Sequence, residues 1–154
     1  MNTERQILIR GGHVVTPEDT VRADVLIRGA TIAAVGLDLP VTSPTDVVEA
    51  EGMWVLPGLI DAHTHIQLDT GAYRTDDSWV TGSQAAALGG ITTVIDFATQ
   101  FEGQSFEEAL NVRLHEAAPS WIDYALHMMV TDVPPGEEDR LKALPAMGIQ
   151  SMKL

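Results

Sequence analysis

The chain has 154 residues, 45% of them apolar and 20% charged, which suits one ordinary globular domain better than two. Nine Lys and Arg against 22 Asp and Glu leave a net charge of -13, which argues against a nucleic-acid phosphate backbone or an anionic membrane surface as partner. With no cysteine, disulfides and thiolate metal sites are excluded, so a metal would need histidine, carboxylate or a modified lysine.

The amino terminus, MNTERQILIRGG, has no apolar signal core and no small-residue cleavage site. No apolar run approaches the roughly 20 residues of a membrane span, so a soluble cytoplasmic protein is the default reading. From residue 5 to residue 57 the runs QILIRGG, HVVT, ADVLIRG, TIAAVG and MWVLPG are short and β-rich. Gly11-Gly12, Gly29 and Gly36 punctuate them, and Pro57-Gly58 closes the series. Residues 1–57 are expected to form a small antiparallel sheet or part of a β-sandwich. PVTSPT, from Pro40 to Thr45, predicts an exposed connection.

The texture changes at Gly58. LIDAHTHI predicts a strand, and Asp76-Asp77 precede a helix-like stretch, SWVTGSQAAALGG, whose glycine pair suits a carboxyl-terminal cap. ITTVIDFAT predicts a second strand. Ser105 and Glu108 have the spacing of a capping box, and Phe106, Leu110, Leu114 and Ala117 follow at helical spacing until Pro119. YALHMMVT predicts a third strand, broken by Pro134-Pro135. GEEDRLKALPAMG predicts a third helix with acids in its first turn, and IQSMKL begins a fourth strand. Residues 58–154 therefore alternate β-α-β-α-β-α-β, the pattern of a parallel sheet covered by helices. A doubly wound sheet and a (β/α)8 barrel both satisfy it. No glycine-rich phosphate fingerprint follows any strand, which weakens the first.

His63 and His65 stand two residues apart in the first of these strands. Strand side chains alternate faces, so both imidazoles point the same way, with Cα atoms roughly 6.6 Å apart. At that separation, near the carboxyl end of a parallel strand where ligands bind, they can converge on one metal ion. The alternative is two polar residues that share a strand end by chance, which would leave two imidazoles needing partners in an apolar strand. His13 lies near a turn, His115 is expected to be solvated on its helix, and His127 is expected to be a satisfied core histidine. Lys153 lies among Ile149, Met152 and Leu154. In a central strand, desolvation would lower its pKa and free a neutral amine, able for instance to form a carbamate with carbon dioxide. On spacing alone, a solvated lysine at a frayed end is the simpler reading.

LPGLIDAHTHIQL, ALGGITTVIDF, DYALHMMVT and GIQSMKL, in that order, resemble the amidohydrolase superfamily, and within it the cyclic amidases hydantoinase and dihydropyrimidinase. The opening run ILIRGGHVVTPEDTVRADVLIRGATIAAVG is similar to the family's amino-terminal β-sandwich segment. The resemblance implies an α/β fold, the first half of a (β/α)8 TIM barrel preceded by part of a small β-sandwich. It places His63 and His65 at the end of barrel strand one, and Lys153, as N6-carboxylysine, at the end of strand four. The lysine carbamate, made with carbon dioxide, would bridge two divalent ions, zinc by this resemblance. Activated water would then open a hydantoin or dihydropyrimidine ring. The loop from Ile66 to Thr75 would overhang the site, with Gln67, Asp69, Tyr73 and Arg74 as candidate substrate contacts.

Two departures qualify this. Asp69-Thr70 stand where the family often has proline and an aromatic residue, which leaves the substrate's side chain undetermined. The family pattern also needs two further histidines, an aspartate and a tyrosine at positions past Leu154. The chain is thus expected to be the amino-terminal part of such a hydrolase, inactive alone, with no catalytic acid or base singled out in it. The whole enzyme is expected to be a cytoplasmic homotetramer acting on a small cyclic amide. An allantoinase or dihydroorotase is the near alternative. Gln67 replaces the arginine usual in the latter. A non-catalytic dihydropyrimidinase-like scaffold is the distant alternative, disfavoured by the intact His63, His65 and Lys153.

Overall fold

A computed structural model describes residues 5–40, 45–133, 135–136 and 138–154. The middle of the expected connection after Pro40, and the break at Pro134, lie outside the described residues. The chain divides into two compact units, Met1–Pro57 and Gly58–Leu154.

The first unit is a five-stranded sheet of β1 (Gln6–Val15), β2 (Thr20–Arg28), β3 (Thr31–Gly36), β4 (Thr45–Glu49) and β5 (Trp54–Val55). The strands β1, β2 and β3 form an antiparallel meander, but β4 and β5 both run parallel to β1 along its other edge. The sheet is therefore mixed rather than antiparallel. QILIRGG and HVVT, expected as two strands, are one strand with an irregularity between Ile9 and Gly12. The glycine pair makes that bend possible. Gly11 has a φ of 72°, and a Cβ on Gly12 would come within 2.5 Å of the Val55 side chain. The freed Gly11 N–H donates to buried Asp24, whose other oxygen accepts from Leu39 N–H. Val14, Ala23 and Val25 form one core cluster, with Ile9, Ile27 and Val55 packed against them, and Leu8, Leu26 and Ala50 are buried as well.

The second unit follows the predicted alternation. Its strands β6 (Leu59–Asp61), β7 (Ile91–Thr99), β8 (Asp123–Met129) and β9 (Met152–Lys153) lie side by side in that order, all parallel. Between them come α1 (Trp79–Leu88), α2 (Phe106–Ala117) and a 3-10 helix (Glu138–Met147). Both α-helices start at a capping box, Ser78 with Thr81 and Ser105 with Glu108, which satisfies amino-terminal N–H groups that have no helical partner. After α1, Gly90 turns the chain with a φ of 83°.

Several elements differ in extent or type from expectation. The strand in LIDAHTHI stops at Asp61, two residues before His63. The third helix winds as a 3-10 helix, and Pro145 within it has no N–H to give an α-helical bond. The fourth strand is two residues long. On α2 the buried face is Phe106, Ala109, Leu110, Arg113 and Ala117, so an arginine occupies the stripe expected for Leu114. At 3.6 residues per turn Arg113 lies almost directly along the helix from Phe106, and it carries its own compensating partners.

Candidate metal centre

The site is built around Phe97, a buried residue of β7 that sits opposite His127 in the β7–β8 register. His63, His65 and His127 lie with ring centroids 4.7, 4.8 and 5.0 Å from its ring. The His65 ring stacks on Phe97 at an interplanar angle of 22°, and Lys153 Nζ lies 5.1 Å from the Phe97 centroid. The two imidazoles His63 and His65 are 5.2 Å apart, edge to face. Three segments distant in sequence therefore deliver a lysine and three histidines to the carboxyl ends of parallel strands.

His63 and His65 share a face although neither lies in the assigned strand. The alternation of β6 continues beyond its end, because Thr64 N–H still donates to Ile95 O at 3.1 Å. Thr64 and Ile66 face the opposite way and are fixed by Asp96, the neighbour of Phe97. One Asp96 oxygen accepts from Ile66 N–H at 2.7 Å and from the Thr64 hydroxyl at 3.1 Å. The other accepts from Phe97 N–H and from the Arg113 guanidinium. Arg113 also donates to Ile66 O and pairs with Glu116. The Asp96 and Arg113 side chains are 1% and 8% exposed, so this is a buried ion pair whose function is to hold the backbone that carries the two histidines.

Burial pushes the His65 imidazole below its ordinary pKa; the Asp96 carboxylate opposes that shift, while His63, Lys153 and Arg113 add to it. A neutral imidazole is the form a metal ion requires. His65 Nδ1 is also buried without a hydrogen-bond partner. An orphaned, neutral ring nitrogen beside a second imidazole and a lysine amine fits a site made to receive a divalent ion. The fit is partial: among the described residues, no three of His, Cys, Asp or Glu gather into a set able to hold a metal. His63, His65 and Lys153, the donors expected from the sequence, all lie against the Phe97 ring.

The loop residues divide in role. Gln67 adopts a φ of 52°, accepts from Trp79 N–H at the start of α1, and donates its own N–H to Asp77. Its side-chain oxygen thus caps a helix. Asp69 pairs with Arg74 at 3.0 Å and accepts from Gly71 N–H, and this last bond first of all holds its carboxyl below the usual range. Tyr73 is 82% exposed. Gln67 and Asp69 help line a cavity of about 90 Å³ whose walls include Phe97, Thr99 and Arg113. Sequence reasoning missed Asp96, Arg113 and the placement of His127. A lone carboxylate in the apolar run ITTVIDFAT was the available signal for Asp96. His127 is hydrogen-bonded, as expected, but on the Phe97 face rather than in the core. His115 is exposed near the end of α2, and His13 is exposed in β1.

No family model matches the chain. It is 39% identical over 151 residues to the D-hydantoinase of Streptomyces coelicolor, covering 95% of this chain and 32% of that protein. The D-hydantoinase of Geobacillus stearothermophilus is 37% identical over 152 residues, 96% of this chain and 31% of that protein. Among solved structures, dihydropyrimidinase from Brevibacillus agri matches with a TM-score of 0.89 at 38% identity, over 97% of this chain and 32% of that one. The chain spans about a third of the length of the relatives it matches.

Proposed function

We propose that this chain, which has the sequence and fold of the hydantoinase/dihydropyrimidinase family over about a third of such a protein's length, supplies part of the metal cage of a cyclic-amide hydrolase. The observation that carries the reading is the convergence of His63, His65 and Lys153 on Phe97, with His65 neutral and one of its nitrogens unused. His63 and His65 would hold a divalent ion through one ring nitrogen each. Lys153, exposed at the end of β9, is open to carbon dioxide. Once its ammonium gave up a proton to water, the amine would form an N–C bond to the carbon and release a second proton, giving N6-carboxylysine, whose oxygens would replace a repelling cation with an anionic ligand. Two divalent ions, zinc in this reading, would lower the pKa of water and polarise the ring carbonyl. Asp96 and Arg113 keep the histidine pair oriented throughout.

The substrate class is a hydantoin or dihydropyrimidine, opened to an N-carbamoyl amino acid. Tyr73 and Asp69 on the loop after β6 are the proposed substrate contacts, with Gln67 acting mainly by shaping that loop. The whole enzyme is read as a cytoplasmic homotetramer, on the resemblance alone. Among the described residues, no helix is long and apolar enough to cross a membrane. A full-length protein containing residues 1–154, loaded with Zn2+, should open dihydrouracil or hydantoin. His63→Ala and Lys153→Ala should each lower kcat at least about 100-fold. Turnover unchanged in both variants would refute the assignment.

A further inference from the structure

Resting on that reading, we propose that His127 is a positioning residue that ties the His63/His65 segment to the Lys153 strand. The backbone alone fixes these two segments weakly. The β6 ladder ends at Asp61, with one further bond from Thr64 N–H to Ile95 O, and among the described residues β9 pairs with β8 over Met128–Met152 and Met129–Lys153, where Met128 N–H donates to Ser151 O and Val130 N–H to Lys153 O. In strand order β6 and β9 are separated by β7 and β8, so no direct ladder relates them. His127 projects from β8 between the two. Its Nε2 lies 3.2 Å from the Ala62 carbonyl, and its Nδ1 bonds to the Ser151 hydroxyl. Ala62 adjoins His63, and Ser151 lies two residues before Lys153.

The chemistry of the two partners sets the tautomer. A carbonyl oxygen can only accept, so Nε2 carries the proton and donates. With the proton at Nε2, the neutral form of the ring presents its lone pair at Nδ1, where the Ser151 hydroxyl can donate to it. Phe97, 5.0 Å away between centroids, supports the ring from β7. One imidazole thus uses both nitrogens to link the segment that carries the two histidines with the strand that carries the lysine. Phe97 touches the histidine pair and the lysine through ring contacts, and among the described residues Asp96 makes no hydrogen bond to β9, so His127 supplies the hydrogen-bonded side-chain link between the two segments.

The test uses a full-length enzyme containing this segment, with Zn2+ as the probe. Labelled imidazole nitrogens, read by NMR, should show His127 as the Nε2–H tautomer with a hydrogen-bonded Nδ1. Ser151→Ala should shift that Nδ1 resonance and weaken Zn2+ affinity, measured by chelator competition, by about 10–100-fold. Ser151→Thr, which keeps the hydroxyl, should restore affinity, whereas a merely structural role for Ser151 would not separate the two variants in that way. His127→Phe, of similar size, should lose Zn2+ affinity at least as much as Ser151→Ala; if it fails to fold, the Ser151 pair decides. An Nδ1–H tautomer, or Ser151→Ala with wild-type Zn2+ affinity, overturns the proposal while leaving the hydrolase reading intact. A wild-type enzyme that binds no Zn2+ overturns both.

Discussion

At the scale of single residues, the H-x-H pair was legible because two imidazoles in an apolar run have few structural uses. Asp96 was half legible, as the one acid in ITTVIDFAT. Arg113 was not, because periodicity assigns arginine to the solvated face, and its partner Asp96 lies 17 residues away on another element. The pair is buried, with side chains 8% and 1% exposed. Arg113→Met would keep the helix stripe and leave the buried Asp96 carboxylate without its cation. It should destabilise by about 3–5 kcal/mol, the cost of breaking a buried pair from one side. Urea unfolding measures this, and a loss under about 1 kcal/mol would show that Asp96 has found solvent.

At the scale of elements, β7 and both α-helices matched their sequence signals, while the shortest strands depended on neighbours. ITTVIDFAT is a nine-residue strand as read, because a β-branched run buried by helices needs no further cue. β4 escaped notice. TDVVE carries two acids and forms only by pairing with β1. β6 ends early, yet its side-chain alternation persists through Ile66 because Ile95 and Asp96 keep bonding to it. The capping box of α2 was fully legible and yields a direct test. Ser105→Ala should cost about 1 kcal/mol in thermal or urea unfolding. Hydrogen bonds from the Ser105 backbone N–H, then its hydroxyl, hold the Glu108 carboxyl below its ordinary 4.5. The folded pKa lies below the unfolded one, so this stabilisation is complete above pH 4.5 and is lost as pH falls through the lower folded value. Ser105→Ala should therefore flatten the acid side of the stability profile. An unchanged profile would mean that the carboxylate gains nothing from the cap.

At the scale of the molecule, the β/α alternation of the second half was readable, because strand composition and turn punctuation are local properties. The mixed pairing of the first sheet was not, since parallel partners of β1 return from far along the chain. Nor was the gathering of His63, His65, His127 and Lys153 round Phe97, which only the sheet order β6-β7-β8-β9 produces. The central claim is that this gathering is part of a metal cage. Anomalous diffraction at the zinc edge, on crystals of a full-length protein grown with Zn2+ and bicarbonate, tests it most directly. The prediction is zinc about 2.0–2.1 Å from one ring nitrogen each of His63 and His65, with a carbamate on Lys153 completing the contact. Zinc bound elsewhere, or none with Lys153 a bare ammonium over Phe97, would contradict it.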